Sequence, residues 1–447
     1  IKMLTKTETY VGAIGSGNSI GDITASGNIN IIDAQVLYVG GVSGNATSIN
    51  NSTFVGNINT SNSAQTYVGG LVGRISGDVL DSEANAEISV NSTAVTPNLY
   101  GGIGGLIGFA ERNSSIDAFV SNSQSYGSIS ANIKSLIPVG GLIGYISNLY
   151  YTGSTNRSYR LFQVENSYSK VNLIVNNTST SSASTYVGGL IGQTTSNVLS
   201  SYAIGDVNAT SSYEIRIGGL IGTLSTAVPI TSSIKVTLPI LNNSYSAYGL
   251  ISSDTSPRGT ITHIGGLVGY SEGDIKNSYT INYVNGSTSG STKTLYVGGL
   301  VGSNKGVIDS SYTLSAFIYG VREELNDNDV TGIGQLSASV FVGGFVGNNM
   351  SEGIITNSYS RATTRIVTAY VGSFVGLNSG LISYSIGYGS ITVGSAGENM
   401  VGGFAGSGTT GYHESYYSLP GTSISADKPV GTGLATGITG LTAVQLR

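Results

Sequence analysis

The stretch YVGGLVG at Tyr67–Gly73 recurs unchanged at Tyr296–Gly302, and near-copies run through most of the chain. The closest copies begin 28 to 30 residues apart, as from Val11 to Val39, whereas others are separated by up to 48 residues. A fixed minimum period with occasional additions is typical of a repeat array with inserted loops. The first apolar residues of the copies are Val11, Val39, Val68, Ile103, Val139, Val187, Ile217, Ile264, Val297, Val342, Val371 and Val401.

A second phrase, NSY, follows many of these copies, and both phrases are typical of strands. Short runs of β-branched and aromatic residues lie between Gly, Asn and Ser, and no window shows convincing apolar spacing of three and four residues. We therefore predict an all-β fold, a single parallel β-solenoid (β-helix) of about twelve coils with three short strands each. The NSY copies and their SSY variants begin at Asn166, Ser200, Asn243, Asn277, Ser310 and Asn357.

In a stacked coil every side chain lies above and below its own copy, which explains why one phrase is reused. Val, Leu and Ile are expected to form internal ladders, and Gly to lie where two sheets approach too closely for a Cβ atom. The Asn of NSY is expected to pair its amide with the next Asn at a coil corner. The Tyr residues are expected to form an aromatic row, either packed internally or exposed as a platform for sugars.

The predicted solenoid is one domain over 1–447. Residues 1–66 are expected to form degenerate N-terminal coils because NSY is missing there, 67–418 to form the regular coils, and 419–447 to close the array. The longer intervals between phrases predict inserted loops at 145–165, 223–241 and 319–335.

The composition argues against several classes of function. The 447-residue chain has a net charge of −5 and only 10% charged residues. It has no basic cluster, which argues against nucleic acid as a partner. No run of 18 apolar residues occurs, so we expect no membrane insertion. The chain has no Cys, which rules out disulfides and thiolate metal sites.

The two phrases resemble the GLUG repeat of secreted and surface bacterial proteins, among them filamentous adhesins and the non-catalytic region of immunoglobulin A-cleaving metallopeptidases. The C-terminal GTGLATGITGLTAVQL is similar to the segment that often closes such arrays. The resemblance implies an extracellular β-solenoid, secreted or on the cell surface. The peptidase branch has a zinc motif H-E-x-x-H, and this chain has only His263 and His413, so that activity is not implied. The closest matches to the pattern are Tyr296–Ser315, Ile264–Ile281 and Phe341–Ser360.

The insertions at 145–165 and 223–241 are the candidate binding elements. Both leave the coil between the glycine phrase and NSY, with one coil between them, so they are expected to project from the same face about 10 Å apart. Insertions on one face of a solenoid often form the binding surface, and Tyr and Arg suit flat contacts with sugars or proteins. The alternative is that the insertions pack as lids over the coils. The candidate ligand-binding residues are Tyr145, Tyr150, Tyr151, Arg157, Tyr159, Arg160 and Phe162.

The third insertion contains VREELNDNDVTG, whose clustered carboxylates are a candidate calcium site. The spacing departs from the EF-hand rule, because position 12 counted from Asp327 is Ala338. A solvated acidic loop is the alternative. The candidate metal ligands are Glu323, Glu324, Asp327 and Asp329.

Catalysis finds little support, because the 24 acidic residues are scattered along the chain. The nearest groupings are Glu165 with Arg160 and Glu414 with His413. We expect a non-catalytic extracellular adhesin or structural protein that presents a binding face for attachment to a glycan or matrix protein, with no cofactor besides the calcium considered above. One alternative is a surface protein that binds insoluble polysaccharide through Tyr. Another is a filament subunit that self-associates end to end, because an open solenoid end is an unpaired strand edge.

Overall fold

The computed structural model is almost entirely β. Strands make up 68% of it and no helix occurs among the described residues. Long sheets of parallel strands confirm the predicted all-β parallel solenoid. The described residues are 5–63, 65–93, 101–111, 117–148, 162–179, 183–226, 238–255, 261–289, 294–314, 318–323, 339–366, 370–393, 400–409, 411–419 and 428–446.

The strands are short and follow one another along the chain. In the first half they are β1 (Thr5–Val11), β2 (Ser16–Gly21), β3 (Thr24–Ile32), β4 (Ala34–Gly40), β5 (Ser43–Asn50), β6 (Thr53–Ser63), β7 (Gln65–Gly69), β8 (Val72–Ile75), β9 (Val79–Leu80), β10 (Glu83–Ser92), β11 (Gly102–Gly104), β12 (Ile107–Glu111), β13 (Ala118–Ser121), β14 (Gln124–Ile133), β15 (Val139–Gly140), β16 (Ile143–Ser147), β17 (Phe162–Glu165), β18 (Tyr168–Asn177), β19 (Thr185–Gly188), β20 (Ile191–Thr194), β21 (Asn197–Leu199), β22 (Tyr202–Ile204), β23 (Val207–Ser211), β24 (Ile215–Gly218), β25 (Ile221–Leu224) and β26 (Ile240–Asn242). In the second half they are β27 (Tyr245–Thr255), β28 (Ile261–Gly265), β29 (Val268–Ser271), β30 (Asp274–Lys276), β31 (Tyr279–Ser289), β32 (Thr294–Gly298), β33 (Val301–Asn304), β34 (Val307–Asp309), β35 (Tyr312–Thr313), β36 (Ile318–Glu323), β37 (Ser339–Gly343), β38 (Val346–Asn349), β39 (Ile354–Thr356), β40 (Tyr359–Ser360), β41 (Thr364–Ile366), β42 (Tyr370–Gly372), β43 (Val375–Asn378), β44 (Leu381–Ser383), β45 (Ile386–Gly387), β46 (Ile391–Val393), β47 (Val401–Gly402), β48 (Ala405–Gly408), β49 (Tyr412–His413), β50 (Ser415–Ser418), β51 (Val430–Gly433) and β52 (Ile438–Leu441).

The chain divides into two compact units. Unit 1 comprises residues 1–209 with 220–244, and unit 2 comprises residues 210–219 with 245–447. The single domain over 1–447 and the number of coils stay predictions.

In unit 1 the coils form three parallel sheets, and like residues pair with like. The first sheet carries the glycine phrase, so that Val39 pairs with Val68 and Gly40 with Gly69. Its strands are β1, β4, β7, β11, β15 and β19; the second sheet contains β2, β5, β8, β9, β12, β13, β16, β17, β20, β21, β25 and β26; the third contains β3, β6, β10, β14, β18, β22 and most of β23.

Unit 2 repeats the same three-sheet arrangement. Val297 pairs with Val342 in the first sheet, and Tyr279 pairs with Tyr312 in the third. Residues 428–446 contribute two strands: β51 pairs with β48 in the second sheet, and β52 pairs with β50 in the third. The first sheet contains β24, β28, β32, β37, β42 and β47; the second contains β29, β30, β33, β34, β38, β39, β43, β44, β48, β49 and β51; the third contains β27, β31, β35, β36, β40, β41, β45, β46, β50 and β52.

The three-strand coil needs one correction, because the second side is divided into two strands in most coils. In one coil of unit 1, β8 ends at Ile75 and β9 begins at Val79, with a bend at Ser76 and Gly77 between them. In the preceding coil the single strand β5 pairs with both β8 and β9. The polar turn that separates VGGLVG from the NSY region therefore bends this side and splits its strand.

The glycines of the phrase lie where backbone approaches backbone. A Cβ atom on Gly69 would collide with the carbonyl oxygen of Val72, and one on Gly70 would collide with the carbonyl oxygen of Gly105 in the next coil. Either substitution would force backbone apart. At Gly69 the first and second sheets thus approach too closely for a side chain, as the sequence predicts, whereas at Gly70 the limit is the backbone of the next coil.

The NSY corner differs from the predicted amide ladder. Its first residue adopts a left-handed conformation, with φ of 49° at Asn166 and 49° at Asn277, a region that Asn and Asp tolerate better than most residues. Several of these side chains do bond along the axis; for example, the Asn51 amide donates to Asp22 (2.6 Å) and the Asn122 amide donates to Asp81 (3.2 Å). The left-handed residues at this corner are Asp22, Asn51, Asp81, Asn122, Asn166, Ser200, Asn243, Asn277, Ser310, Asn357, Tyr384 and Glu414.

Residues 5–63 keep the left-handed corner although the NSY phrase is missing there. Asn51 takes the left-handed corner and Ser52 takes the place of the NSY serine, because its backbone N–H donates to the Oγ of Ser82 (3.2 Å). The strand that follows, β6, pairs in register with β10 from Thr53 to Ser61. This corner needs a residue that tolerates a left-handed backbone, followed by Ser. It does not need the Tyr of NSY.

A buried amide ladder lies elsewhere, in the second sheet of unit 2. The Asn304 amide donates to Asn349 Oδ1 (3.0 Å), and the Asn349 amide donates to Asn378 Oδ1 (2.8 Å). All three side chains have 0% exposure. All three Asn residues stand two positions after the last glycine of the phrase. This recurrence could have predicted the ladder from the sequence.

Candidate functional site

The two predicted insertions in unit 1 begin and end at equivalent corners. The first lies between β16 and β17 and the second between β25 and β26. β16 and β25 both pair with β20, one on each side, so the insertions start two strands apart on the same side of the second sheet, about 10 Å along the axis. Most of both insertions, 149–161 and 227–237, lies outside the described residues.

Asn148 holds the two ends of the first insertion together. This residue was not among those predicted from the sequence. This side chain is buried, and its Oδ1 accepts from the backbone N–H of Phe162 (3.1 Å) and from Ser196 Oγ (3.3 Å). Its amide donates to the carbonyl of Thr195 (3.0 Å) in the next coil. Asn148 therefore joins the two ends of the insertion to each other and to the coil beneath.

The structure places two of the seven candidate ligand-binding residues. Tyr145 is half-buried and packs against Phe109, with ring centroids 5.3 Å apart. Phe162 has 0% exposure and belongs to the core, so its side chain is not available to a ligand. Tyr150, Tyr151, Arg157, Tyr159 and Arg160 lie outside the described residues.

The candidate calcium ligands are likewise largely outside the described residues. Glu323 ends β36, but its side chain is not described, and Glu324, Asp327 and Asp329 fall in 324–338. Among the side chains that the structure does describe, no group of three or more His, Asp or Glu is placed to hold a metal ion.

The Tyr row of the NSY phrase is a stack of parallel, half-buried rings. In unit 2 the ring centroids of Tyr245, Tyr279, Tyr312 and Tyr359 follow one another at 5.0, 4.9 and 5.0 Å, with interplanar angles of 8°, 1° and 1°. Burial raises the pKa of Tyr279 above its usual value. Each ring face is covered by the next ring, so the row presents ring edges and hydroxyls to solvent.

A polar cluster of unit 2 surrounds the buried His263, which takes the place that Tyr296 occupies in the next coil. His263 Nδ1 lies 2.8 Å from Ser303 Oγ, and Nε2 lies 3.7 Å from Glu214 Oε1. Arg216 Nε donates to the same carboxylate oxygen at 2.6 Å, and its guanidinium lies 4.1 Å from the ring centroid of Tyr270.

Burial, and then the charge of Arg216, lowers the pKa of His263 to about 3. Glu214 does not reverse this effect, because its carboxylate is already paired with Arg216 at the shorter distance. His263 is therefore neutral at physiological pH.

Ser303, His263 and Glu214 are the residue types of a hydrolytic triad, but they are not accessible as the residues of a working triad are. Ser303 is 0% exposed and His263 is 6% exposed, so no substrate carbonyl can reach the hydroxyl in this conformation. A histidine with so low a pKa is also a poor general base near neutral pH. In the described structure this cluster links β24, β28, β29 and β33 of unit 2.

Unit 1 has a broad exposed sheet face, which was not among the surfaces predicted from the sequence. The third-sheet strands β3, β6, β10, β14 and β18 are 9 to 11 residues long and pair in register. Every second residue points outward, and most of these carry amides or hydroxyls. We call this surface the amide face. Its outward side chains are Thr24, Ser26, Asn28, Asn30, Ile32, Thr53, Val55, Asn57, Asn59, Ser61, Glu83, Asn85, Glu87, Ser89, Asn91, Gln124, Tyr126, Ser128, Ser130, Asn132, Tyr168, Lys170, Asn172, Ile174 and Asn176.

A cavity of about 240 Å³ lies at the first coil of unit 1. Its apolar lining includes Val11, Ala13, Ile29, Ile31 and Phe54. These residues surround the end of the core, where β1, β2 and β3 have a neighbouring strand on one side only among the described residues.

Comparison with protein-family models, with curated proteins and with solved structures found no match. In the part of the chain that the structure describes, no helix has the length and apolarity needed to cross a membrane.

Proposed function

We propose that this chain is a non-catalytic, extracellular attachment protein whose rigid coils hold inserted loops toward a glycan or matrix protein. The observation that carries the proposal is the shared corner of unit 1 from which the insertions after β16 and β25 emerge, with Asn148 tying one base to the coils beneath. Loops held on a rigid scaffold often carry binding residues. The resemblance of the repeated phrases to those of GLUG-repeat adhesins supports the secreted or cell-surface location.

The scaffold itself supplies rigidity through side chains that bond from coil to coil. In unit 1 the backbone N–H of Ser82 donates to Ser123 Oγ (3.2 Å), and that of Ser123 donates to Ser167 Oγ (3.1 Å). These hydroxyls are buried, so each coil is fixed to the next by polar contacts as well as by the backbone ladder. A surface held in this way loses little conformational entropy on binding.

The experiment is attachment of the full chain to an array of glycans and matrix proteins, compared with a variant carrying Tyr150→Ala and Tyr151→Ala. We expect the variant to lose at least about tenfold in affinity, since Tyr is among the residue types that most often dominate the binding energy of an interface. Tyr248→Ala is the matched control, because Tyr248 is 77% exposed and lies outside the insertions. Equal binding by all three proteins would contradict a role for the first insertion.

End-to-end assembly is a second candidate function, favoured by the cavity at the first coil of unit 1. The apolar lining and the strand edges there would suit a further coil from another copy. Sedimentation over a range of concentrations tests this: association that Ile31→Asp abolishes would support it, and a monomer at high concentration would contradict it.

A further inference from the structure

We propose that the amide face of unit 1 binds an extended, uncharged polysaccharide. The inference rests on the attachment function proposed above and names a ligand class and a second contact surface for it, separate from the inserted loops.

The amide face offers a regular lattice of hydrogen-bonding groups. Its five strands pair without a break over most of their length, from Thr24 with Thr53 to Asn132 with Asn176. Outward side chains recur at about 4.8 Å from strand to strand and about 7 Å along each strand. A polymer of identical sugars would present the same hydroxyl groups at regular intervals, so it would meet a similar set of side-chain groups at successive strands.

The amides can bond to sugar hydroxyls while they bond to one another. The Asn57 amide donates to Asn28 Oδ1 (2.8 Å), and the Asn59 amide donates to Asn30 Oδ1 (2.9 Å). A side-chain amide has two N–H donors and an oxygen with two lone pairs, so a single bond along the ladder does not exhaust it. These ladder bonds also hold the amides in place, which lowers the entropy lost on binding.

The charges on the face favour a neutral ligand. Glu83 accepts from the Gln124 amide (2.6 Å) and Glu87 accepts from the Ser128 hydroxyl, so both carboxylates are partnered within the face. Lys170 is its only cation, and the whole chain has a net charge of −5. An anionic polymer would meet repulsion here, whereas hydroxyl groups would not.

The remaining exposed side chains suit sugar rings better than a folded protein. Ile32, Val55 and Ile174 are 40%, 46% and 53% exposed, and their cross-strand partners in the face are Ser or Asn. Isolated apolar side chains of this kind can pack against the C–H face of a pyranose. A stable protein interface usually needs a cluster of large aromatic or Arg anchors at its centre, and Asn59, Ser89 and Ser130 occupy the centre of this face.

The test is binding of the full chain to insoluble cellulose, chitin and mannan, with soluble polygalacturonate as the anionic comparison. Asn59→Glu and Ser130→Glu, made separately, place a carboxylate at the centre of the face. We expect each to weaken binding to the neutral polymer by about tenfold or more, because an uncompensated charge buried against a ligand is costly. Asn285→Glu is the matched control and should bind like the unchanged protein, since Asn285 is exposed at the corresponding position of β31 in unit 2.

Thermal unfolding of each variant shows whether the exposed substitution leaves the fold intact. Should either Glu variant unfold, Asn59→Ala with Ser130→Ala replaces it, with several-fold weaker binding expected. Unchanged binding by folded variants, binding to polygalacturonate alone, or no binding to any neutral polymer would each overturn the inference. Attachment to matrix proteins through the inserted loops would survive that result, whereas loss of attachment to every surface tested would remove the proposed function as well.

Discussion

At the scale of single residues, two facing positions of the coil share one space. In several coils the second glycine of the phrase lies against a small hydroxyl residue at the fourth position of the NSY segment, as Gly344 lies against Ser360. One coil of unit 2 exchanges the two residues: Ser373 replaces the glycine and Gly387 replaces the serine. Ser373 Oγ donates to the carbonyl of Gly403 (2.5 Å), the bond that Ser125 Oγ makes to Gly141 in unit 1.

This exchange predicts compensation between two substitutions. Gly387→Ser alone should destabilise the protein by about 1–3 kcal/mol, because the new Cβ would collide with Ser373 Oγ. Adding Ser373→Gly should restore most of the loss, since the pair then matches Gly344 and Ser360. Thermal or denaturant unfolding of the two single variants and the double variant measures the coupling; additive effects would show that these side chains do not share one space.

The neutral His263 predicts acid sensitivity. Its pKa is about 3 in the folded protein, below its ordinary value of 6.5, so the unfolded chain takes up a proton that the folded chain excludes. Stability contributed by this site is complete above pH 6.5 and falls by about 1.4 kcal/mol per unit as the pH drops from there toward 3.

His263→Gln should flatten that part of the stability profile, and His413→Gln should leave it unchanged because His413 is 57% exposed. Urea unfolding between pH 7 and 4 is the measurement. Identical slopes for the His263 variant and the unchanged protein would show that other groups cause the acid response.

At the scale of strands and ladders, the buried serines connect successive coils. Ser167 Oγ accepts from the backbone N–H of Ser123 (3.1 Å) and donates to the carbonyl of Glu165 (2.8 Å). Neither partner has access to water at this site, because Ser123 and Ser167 are both 0% exposed. The same arrangement in unit 2 joins Ser278, Ser311 and Ser358.

Ser167→Ala should therefore lower the free energy of unfolding by about 1–3 kcal/mol, the cost of leaving a buried donor without its partner. Ser130→Ala, an exposed serine of a neighbouring strand, should change it by less than about 0.5 kcal/mol. Equal effects of the two substitutions would contradict the ladder.

Much of the element pattern could be predicted because the same residues recur at the same spacing. Gly69 recurs where no Cβ fits, and Val68 recurs inside the core. The left-handed corner was missed because Asp22, Ser310 and Tyr384 fill it as well as Asn, so the shared property is a backbone angle and not a residue type.

The functional surfaces were harder to predict from the sequence. In the sequence, the amide face corresponds to polar residues at alternate positions, such as Asn28 with Asn30 and Asn57 with Asn59. The same alternation is found in any strand with one face in solvent, so it does not predict a binding surface. The cluster around His263 depends on side chains from four strands that meet only in the folded unit. The hydrogen bond between Asn148 and Phe162 joins the two ends of the first insertion, and the sequence alone does not show that these ends meet.

At the scale of the whole molecule, the chain uses one coil design in both units and has few charges with which to steer a partner. In each unit the parallel ladders, stacked rings and buried polar rows repeat along the sheets, and the inserted loops are additions to this frame. The fold of each unit therefore depends most on in-register stacking, with equivalent residues following one another from coil to coil.

Pulsed dipolar spectroscopy tests that stacking directly, and the absence of native Cys allows spin labels to be placed at will. Asn28, Asn57 and Asn172 lie on one row of the amide face. Asn172 lies four strands away from Asn28 and three strands away from Asn57. Labels at Asn28 and Asn172 should lie about 19 Å apart, and labels at Asn57 and Asn172 about 5 Å closer. Narrow distributions with that difference are the predicted result; separations beyond about 30 Å, or no difference between the two pairs, would contradict the stacked coil.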